Sequence, residues 1–479
     1  MSDGLQAARA ALAGRRAWLV GGAVRDHALG RRGGLADIDL VVDGDPAESA
    51  RAVARAGGPA ACFALSEQFG AWRVVARDGS WQVDVEPLRG GSLEHDLGLR
   101  DFTVNAIAEP LEGGQPIDPL GGLADLAARR LRMAGPSGFA DDPLRVLRLA
   151  RVAVELDLEP ERETMRAAVE HTGALRDVSP ERVFTELRRI LSASRATEGL
   201  ELLGELGATA VVLPEIDALR GVEQTRYHHR DVYGHTLEVL EQVVRLTEAS
   251  PEELDGAGPG WMAPHGAEVA ALLAEPLADG LTRGEALRWG ALLHDAAKPL
   301  TRETRPADGR VTFIGHDSRG AQLARAVLRR LHTSERLAAH LAALVQNHLR
   351  AGFLVHEPQP LSRRTVFAYI QACAPVEVDV TLLSVADRLA TRGDRAQEAT
   401  EAHLSVVRGL LSDALRWRAE GPPPPLLRGD QLAAELGVPP GPRIGDLLAA
   451  IAEARYAGEL STPEEALTYA RTLAGGASI

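Results

Sequence analysis

The stretch that most constrains the fold of this chain is residues 18–44, WLVGGAVRDHALGRRGGLADIDLVVDG. A short apolar run leads into Gly21 and Gly22, a helix-like VRDHALG follows, and a second apolar run after a Gly/Arg loop carries Asp37 and Asp39. The pattern predicts strand, turn, helix, loop and strand. Residues two apart on a strand share a face, so both carboxylates should point the same way, whereas their apolar neighbours should point to the other face.

Two carboxylates that converge from one strand form an all-oxygen site, which suits Mg²⁺ held together with substrate phosphates. The Gly-Gly turn lets backbone N–H groups approach a phosphate, and the helix after it points its N-terminus at the same place. A lone DxD or Gly-Gly is more often a loop, a cap or a turn. Asp45, which precedes Pro46, is interpreted as such a cap, and neither it nor Asp43 is assigned a catalytic role. Gly-Gly, Arg25-Asp26 and DxD in sequence are rarer and favour a functional site.

Length and composition restrict the class of protein. A chain of 479 residues with 45% apolar residues can form three or four domains with sizeable cores. The net charge of −14 argues against a protein that coats nucleic acid indiscriminately, but it does not exclude a nucleic-acid enzyme. No stretch approaches the apolar length of a membrane span and no signal peptide is apparent, so we expect a cytoplasmic protein without a membrane partner. Cys62 and Cys373 are far apart in sequence, which argues against a disulfide framework or a thiolate metal site.

Residues 72–86 are typical of a β-hairpin, with an Asp-Gly turn between two alternating runs. Asp84 in the second run is a candidate third carboxylate, although a solvent-facing polar residue is the simpler interpretation without the DxD context. Farther along, Arg100, Asp101 and Asn105 occur in an apolar segment. Because unpaired buried polar groups are costly, these three should contact one another, the backbone or a ligand.

A helical pattern begins near residue 141 with DDPLRVLRLARVAVELDLEP. Arg145, Arg148 and Arg151 recur every three residues, which places three guanidinium groups along one stripe. A salt-bridged surface is the usual meaning of such a stripe. Asp142, just before the stripe, would reach any ligand that the three arginines bind. Ser179 is predicted to cap a second helix, SPERVFTELRRIL.

From about residue 216 the chain is almost wholly helical in pattern and rich in histidine. A lone histidine on a helix is usually structural, but several in apolar helices beside an adjacent His-Asp pair are better explained as metal ligands. Without cysteine, such a set suits a borderline or hard transition metal or magnesium, whose identity stays open. The candidate ligands are His235, His294, Asp295, His316, His348 and Asp387. We expect His228, His229, His332 and His340 to be surface residues.

Five ordered motifs together resemble the class II tRNA nucleotidyltransferase and bacterial poly(A) polymerase family of the DNA polymerase β-like superfamily, with an appended HD-type phosphohydrolase domain. The motifs are LVGGAVRD with DID, LRDFTVNAIA, DPLGGLADL, DDPLRVLR and SPERVFTEL. The resemblance implies an α+β fold, in which a polymerase β-like head with a mixed sheet and helices precedes mostly helical domains. The expected division is a head at 1–133, a neck at 134–215, an HD domain at 216–420 and a small helical segment at 421–479.

By this resemblance, Asp37 and Asp39 would bind two Mg²⁺ ions, with Asp84 as a third catalytic carboxylate. An RNA 3′-hydroxyl would attack an α-phosphate in line, which two metals can assist by activating the attacking oxygen and stabilising the leaving one. Asp142 and Arg145, with Arg148 beside them, would match the base edge of C or A in place of a template. The full set of expected nucleotide-binding residues is Gly21, Gly22, Arg25, Asp26, Arg100, Asp101, Asn105, Asp142, Arg145 and Arg148.

The resemblance further implies addition of C, with or without A, to tRNA 3′ ends, with tRNA, CTP and ATP as partners. Two departures from the family pattern bear on the product: Leu99 replaces the first Arg of the second motif, and the link between Arg89 and Leu93 is very short. Relatives that add the full CCA end usually have a longer loop here, which CC-adding relatives lack. The six HD-type residues would bind an unidentified divalent metal, for phosphomonoesterase or cyclic phosphodiesterase chemistry or as an inert scaffold. Alternatives are a poly(A) polymerase, an A-adding enzyme, or mainly an HD phosphohydrolase acting on RNA ends; the oligomeric state is not predicted.

Overall fold

The computed structural model describes residues 3–30, 37–66, 70–224, 229–256, 261–392 and 396–475. His228 and the Gly/Arg loop at 31–36 therefore lie outside the described residues. The chain divides into two compact units, Met1–Val212 and Leu213–Ile479. The first contains a mixed sheet with helices and the second is mostly helical, which confirms the predicted α+β class. The finer division into four domains stays a prediction.

The sheet of the first unit is built around the two strands that carry the DxD and its partner carboxylate. The strands of this unit are β1 (Ala17–Val20), β2 (Asp37–Val42), β3 (Ala60–Ser66), β4 (Ala71–Ala76), β5 (Gln82–Pro87), β6 (Ala108–Pro110), β7 (Arg130–Leu131) and β8 (Glu159–Pro160). Six of them form one sheet in the order β3-β4-β5-β2-β1-β6, in which β2 and β5 are parallel.

Alternation along β2 decides which residues face the site. Ile38 and Leu40 are fully buried, whereas Asp37 is exposed and Asp39 is partly buried, so the two carboxylates share the face opposite the apolar core. This confirms the predicted strand-turn-helix-strand order, with the helix at Gly22–Ala28. Because one face of β2 is buried, a shift of the register by one residue would move Ile38 and Leu40 out of the core. The observed register is therefore the stable one.

Two helices of the first unit have a side-chain cap, and the one at Asp45 is predicted from the sequence. Asp45 accepts a hydrogen bond from the backbone N–H of Ala47, and Ser92 accepts one from that of His95. Ser179 occupies the predicted cap position, but its side chain makes no cap hydrogen bond. The helices are α1 (Asp3–Ala11), α2 (Gly22–Ala28), α3 (Pro46–Ala56), α4 (Leu93–Gly98), α5 (Gly122–Ala127), α6 (Gly138–Asp141), α7 (Arg145–Leu156), α8 (Arg162–His171), α9 (Pro180–Ser192), α10 (Ala196–Glu205) and α11 (Ala208–Val212).

The second unit consists of helices and two small strand pairs, β9 (Pro276–Ala278) with β10 (Leu281–Thr282) and β11 (Glu303–Thr304) with β12 (Val311–Thr312). Its long helices bury one another, and the last three share a small apolar core of their own. The helices are α12 (Pro214–Asp217), α13 (Val232–Glu248), α14 (Pro251–Gly256), α15 (Gly266–Leu273), α16 (Arg283–Leu293), α17 (Lys298–Thr301), α18 (His316–Arg330), α19 (Glu335–Asn347), α20 (Arg350–Phe353), α21 (Arg363–Cys373), α22 (Glu377–Ala390), α23 (Ala396–Glu420), α24 (Gly429–Leu436), α25 (Pro442–Tyr456) and α26 (Pro463–Gly475).

Two expectations about individual residues can be compared with this fold. His340 is 8% exposed, so its prediction as a surface residue is wrong; it lies on the side of α19 that packs against Asp379. Cys62 and Cys373 are both free, as the sequence predicts. In the described part of the chain no single helix is long and apolar enough to cross a membrane; α21 and α22 meet the length and composition criteria only as a pair, which is bent by 98°.

Candidate active site and candidate metal centre

Four carboxylates are grouped on one face of the sheet in the first unit. Asp39 on β2 lies directly opposite Asp84 on the parallel strand β5, and Asp37 precedes it on the same face. Glu86, two residues after Asp84, joins them, although the sequence analysis missed it. Burial raises the pKa of Asp39 to about 6; Arg100 opposes this shift, whereas Glu86, Asp84 and Asp37 add to it. The group is therefore a concentration of negative charge that a cation would stabilise.

Asp84 is fixed by a neighbour on the adjacent strand. Arg73 on β4 is its cross-strand partner and donates two hydrogen bonds, from Nε and Nη2, each 2.7 Å long. The hydrogen bond to Asp84 is the main reason that the pKa of Arg73 is raised. Such a two-pronged pair holds a carboxylate in one orientation. Sequence reasoning missed Arg73, although the alternation in WRVVAR indicates it, because it places this residue on the same face as the carboxylates.

The Gly-Gly turn approaches the carboxylates closely. A Cβ atom on Gly21 would lie 3.1 Å from Asp39 Oδ2 and 3.6 Å from Arg100 Nη1, and Gly21 has φ of +70°. A side chain there would therefore be strained and would crowd the carboxylate. The Nε and Nη2 atoms of Arg100 are buried without a hydrogen-bond partner among the described residues, although Nη2 lies 3.5 Å from Glu86 and from Asp96. An anionic ligand would satisfy these donors.

Arg25 and Asp26 continue the site at the start of α2. Arg25 donates from Nε to Asp26 Oδ1 at 2.9 Å and from Nη1 to Asn105 Oδ1 at 2.6 Å. Asn105 in turn donates to Asp101 Oδ1 at 3.0 Å. Of the three polar residues predicted to contact one another, the backbone or a ligand, Asp101 and Asn105 are thus hydrogen bonded to each other, and Arg25 joins them. Gly22 lies against the Arg25 guanidinium. This chain of hydrogen bonds connects the first motif with the second.

Asp101 also anchors the arginine stripe of α7. Arg148 lies 3.6 Å from Asp101 Oδ2 and donates to Glu186 Oε1 at 3.0 Å, while Arg151 donates to Glu186 Oε2 at 2.6 Å. Burial lowers the pKa of Arg148, but Asp101 and Glu186 raise it more, so this guanidinium stays charged. The salt-bridged interpretation therefore describes Arg148 and Arg151 in this structure. Sequence reasoning missed Glu186, whose position in SPERVFTEL was the available signal.

Asp142 and Arg145 have partners as well. Arg145 donates to the carbonyl oxygens of Leu99 at 2.8 Å and Arg100 at 3.1 Å, which places it against the second motif. Its Nε is buried without a hydrogen-bond partner in the part of the chain that the structure describes. Asp142 accepts a hydrogen bond of 2.8 Å from Arg182, which sequence reasoning also missed. The structure thus brings both residues to the neighbourhood of Arg100, with Arg182 as an added donor.

The donor set fits Mg²⁺, because Asp37 and Asp39 offer carboxylate oxygens on one face and a bound cation would offset the burial, and the repulsion from neighbouring carboxylates, that raise the pKa of Asp39. Protons and the metal should therefore compete for Asp39. We expect the affinity for Mg²⁺ to fall about tenfold per pH unit well below pH 6 and to level off above pH 7. Calorimetric Mg²⁺ titration of the full-length protein at pH 5.0–8.0 would measure this. An affinity that does not change over that range would contradict it.

In the second unit the six candidate ligands converge on Asp295. Two groups that could each hold a metal ion share this residue: His235, His294 and Asp295, and Asp295, His316 and His348. His294 Nε2 lies 3.1 Å from Asp295 Oδ2, and His316 Nε2 and His348 Nε2 lie 3.4 and 4.0 Å from Oδ1. Asp387 completes the set by hydrogen bonding His235 Nε2 at 2.9 Å. The geometry is that of a centre for one or two ions.

The histidine rings are oriented by the backbone. Nδ1 of His294, His316 and His348 is bonded to the carbonyl oxygens of Ala291, Phe313 and Val345 at 2.6–2.7 Å. The Nε2 atoms of these three histidines are buried and make no hydrogen bond within the described ranges. Such second contacts fix the tautomer in which Nε2 has a free lone pair. Burial, followed by His294, lowers the pKa of His348 to about 4, so its imidazole is neutral, as a metal ligand must be.

Three family models match the chain in the order of these sites. A poly A polymerase head domain matches residues 17–132, a probable RNA and SrmB-binding site of polymerase A matches 157–220, and an HD domain matches 262–392. The head match contains the carboxylate group and the HD match contains His294, Asp295, His316, His348 and Asp387, whereas His235 precedes it.

Curated relatives match nearly the whole chain. An A-adding tRNA nucleotidyltransferase of Deinococcus radiodurans is 38% identical over 457 residues, which cover 94% of each chain. This chain belongs to the tRNA nucleotidyltransferase family. A CC-adding tRNA nucleotidyltransferase of Thermus thermophilus is 34% identical over 96% of this chain and 94% of its own length. A multifunctional CCA protein of Pseudomonas aeruginosa is 35% identical over 74% of this chain and 78% of its own. This protein is therefore an enzyme of the nucleotidyltransferase type.

Solved structures confirm the fold of this tRNA nucleotidyltransferase. A CCA-adding enzyme in complex with ATP has a TM-score of 0.63 at 19% identity and covers 98% of this chain and 95% of its own. The Thermotoga maritima CCA-adding enzyme in complex with tRNA has a TM-score of 0.60 at 19% identity, covering 98% and 94%. At this level of identity the likeness concerns the fold, which includes the polymerase β-like head.

Proposed function

We propose that this enzyme adds nucleotides to the 3′ end of tRNA without a template. The nucleotide donor is CTP in the first candidate reaction and ATP in the second. The grouping of Asp37, Asp39 and Asp84 around the Gly-Gly turn carries the proposal, because it places metal-binding oxygens beside unsatisfied cationic donors. Relatives with 34–38% identity are named for this reaction on tRNA. We place the enzyme in the cytoplasm and assign the four predicted domains as its head, neck, HD domain and C-terminal segment.

Each part of the site has a proposed role. Asp37 and Asp39 would hold Mg²⁺, which when bound supplies charge neutralisation at the α-phosphate and activates the attacking hydroxyl. Arg73 holds Asp84 in one orientation beside them through two hydrogen bonds. The unsatisfied donors of Arg100, together with Gly22 and Arg25, would receive the triphosphate. Reaction then depends mainly on positioning and on neutralisation of charge.

The nucleotide-reading role is proposed for Asp142 and Arg145, with Arg148 as support. The carboxylate of Asp142 accepts from Arg182 in this structure, and Arg145 is fixed against the carbonyl groups of the second motif. An incoming base would then meet a carboxylate acceptor and a guanidinium donor of fixed geometry, which is what discrimination between base edges requires. The chain Asp101, Arg148, Glu186 would hold this pair in place.

The link between β5 and α4 favours a C-adding product. Arg89–Gly91 is one short 3-10 turn, and Arg89 donates from its backbone N–H and from Nε to the buried Asp96. A Cβ on Gly90 would lie 1.9 Å from the His95 ring, so this link is packed closely against α4. The sequence contains no long loop of the kind that full CCA-adding relatives have at this place, and we therefore propose CC addition first.

Addition of a single A is the second candidate, because the relative with 38% identity over 94% of both chains is named as A-adding. The short link between β5 and α4 thus favours CC addition, whereas the overall sequence identity favours addition of a single A. An assay of the reaction products decides between them.

Incubation of the purified enzyme with three tRNA transcripts, ending before the CCA, after the first C and after CC, separates the products. We expect CTP to extend the first two transcripts by two and one nucleotides and ATP not to extend the third. Sequencing the product ends gives the result. Extension of only the third transcript by ATP would establish the A-adding candidate instead, and addition to none of the three would contradict a role at tRNA ends.

We also propose that the centre around Asp295 binds one or two divalent transition-metal ions and acts on phosphate esters at RNA ends. The free Nε2 atoms of three oriented histidines support metal binding. Lys298, whose Nζ lies 2.6 Å from Asp295 Oδ2, places an additional cation where a phosphate would enter.

A further inference from the structure

The second unit contains a cavity of about 390 Å³ that neither proposed reaction uses. This volume is within the range of small-molecule sites. One wall is apolar, with Leu277, Ala339 and Ala343 among its residues. The charged side chains that line it are three arginines and one glutamate, namely Arg283, Arg336, Arg418 and Glu275. A protein with net charge −14 therefore has a local excess of cations here.

The cavity is lined by hydrogen-bond donors that the protein itself does not use. Arg283 donates to the buried Asp379 through Nε and Nη2 and to the Pro375 carbonyl oxygen through Nη2, so in the described structure its Nη1 has no partner. Arg418 uses Nη2 for Glu275. Arg336 makes no ion pair or hydrogen bond with the described residues.

His340 adds a polar group to the same wall. Its Nε2 is buried and lacks a hydrogen-bond partner among the described residues, and it lies 3.8 Å from Asp379 Oδ1, beyond hydrogen-bond range. Burial lowers the pKa of His340, Asp379 raises it, and Arg283, Arg418 and Arg336 lower it further, which shows that all three cations act on this point. A buried ring nitrogen without a partner, beside guanidinium nitrogens that no described acceptor contacts, suits a ligand rich in acceptor oxygens.

This site is separate from the metal centre, although the same helices carry both. His340 precedes His348 by eight residues on α19, and Asp379 precedes Asp387 by eight residues on α22. Eight residues of α-helix span about 12 Å, so a small ligand in the cavity would not contact the metal ligands. The two sites are therefore distinguishable by substitution.

We propose that this cavity binds a phosphate monoester of mononucleotide size, with the phosphate at Arg336, Arg283 Nη1 and His340 and the nucleoside against Leu277, Ala339 and Ala343. Arginine guanidinium groups suit phosphate because they donate in a fixed fork. The apolar wall provides a surface for a base or sugar, which an inorganic anion would leave unused. Binding here requires no metal ion.

The test uses the full-length protein in buffer with EDTA, titrated calorimetrically with AMP, CMP, orthophosphate and adenosine. We expect AMP and CMP to bind without metal, and we expect Arg336→Ala to weaken this binding about tenfold, since it removes a charge-assisted hydrogen bond. The double variant Arg336→Ala with His340→Gln should lose it further. Arg471→Ala, which removes an exposed arginine of α26, is the matched control and should bind as the unsubstituted protein does.

Arg336 is exposed, so its substitution should leave folding and nucleotide addition to tRNA unchanged, and both are measured alongside. Equal affinities for orthophosphate and AMP would identify free phosphate as the source of the anion, whereas weaker orthophosphate binding would identify the nucleotide. The proposal is overturned if no phosphate compound binds in EDTA, if adenosine binds as tightly as AMP, or if Arg336→Ala binds as tightly as Arg471→Ala. None of these results depends on catalytic activity.

Discussion

Asp39→Asn is expected to reduce nucleotide addition about a thousandfold or more while the protein stays folded. The side chain faces Asp84 across parallel strands and lies beside Gly21 and Arg100, so it has the central position in the carboxylate group. Removing one negative oxygen ligand takes away several kcal/mol of metal-assisted charge stabilisation, and each 1.4 kcal/mol corresponds to a factor of ten in rate. Single-turnover addition of CMP to a tRNA acceptor, at saturating Mg²⁺, measures the loss.

The same substitution should stabilise the metal-free protein, which separates a catalytic role from a structural one. The pKa of Asp39 in the folded chain is raised by burial to about 6, above the ordinary value of 3.8, so its ionised form costs folding free energy. The cost is absent below about pH 4, grows between pH 4 and 6 and is complete above that. We expect Asp39→Asn to gain about 1–2 kcal/mol at pH 7 in EDTA, since solvent screens part of the full shift.

Asp43→Asn is the matched control, because Asp43 follows the same strand but is exposed and pairs with Arg16. It should retain nucleotide addition and show no gain in stability in EDTA. If Asp39→Asn adds nucleotides at a rate within tenfold of Asp43→Asn, the carboxylate group is not the reaction centre. If it loses activity and also unfolds at lower denaturant concentration, the residue has a structural role instead.

The sequence was sufficient to predict the strand of Asp37 and Asp39 and the hairpin of β4 and β5, because alternation determines which face each residue takes and an Asp-Gly turn marks a hairpin. The six residues around Asp295 were predictable for a similar reason: polar groups in apolar helices need partners, and these were the ones available. Helix caps at Asp45 and Ser92 follow from local residue chemistry alone. These features depend on contacts between residues that are close in sequence, or on a strong periodicity of apolar and polar residues.

Partners distant in sequence could not be predicted in this way. Arg182 reaches Asp142 across 40 residues and Glu186 reaches Arg148 across 38, so nothing local indicates either contact. The sequence predicts His340 as a surface residue, whereas the fold buries it with its Nε2 3.8 Å from Oδ1 of Asp379, a residue far along the chain. Tertiary packing decides such contacts, and an arginine in a helical stripe is compatible with a surface, a ligand or a buried carboxylate until the fold is known.

Asp295→Asn is expected to abolish tight metal binding in the second unit while nucleotide addition to tRNA persists. Asp295 is the one carboxylate that both candidate ligand groups share, and four histidine Nε2 atoms lie within 3.1–4.0 Å of its oxygens. Removal of partners that only orient metal ligands already costs about 10–100-fold in affinity, so loss of a shared ligand should exceed 100-fold. Metal content after dialysis, measured by mass spectrometry, gives the stoichiometry for the protein and the variant.

Unfolding provides an independent readout of the same centre. A metal that binds only the folded chain at 100 times its Kd adds about 2.7 kcal/mol of stability, so addition of Mn²⁺ or Ni²⁺ should raise the melting temperature of the chelator-treated protein but not that of Asp295→Asn. Asp308→Asn, an exposed carboxylate in the turn between β11 and β12, is the control and should respond to metal as the unsubstituted protein does. A metal-dependent rise in the Asp295→Asn variant would show that these histidines do not form the metal centre, and loss of nucleotide addition in that variant would show that the two centres are coupled.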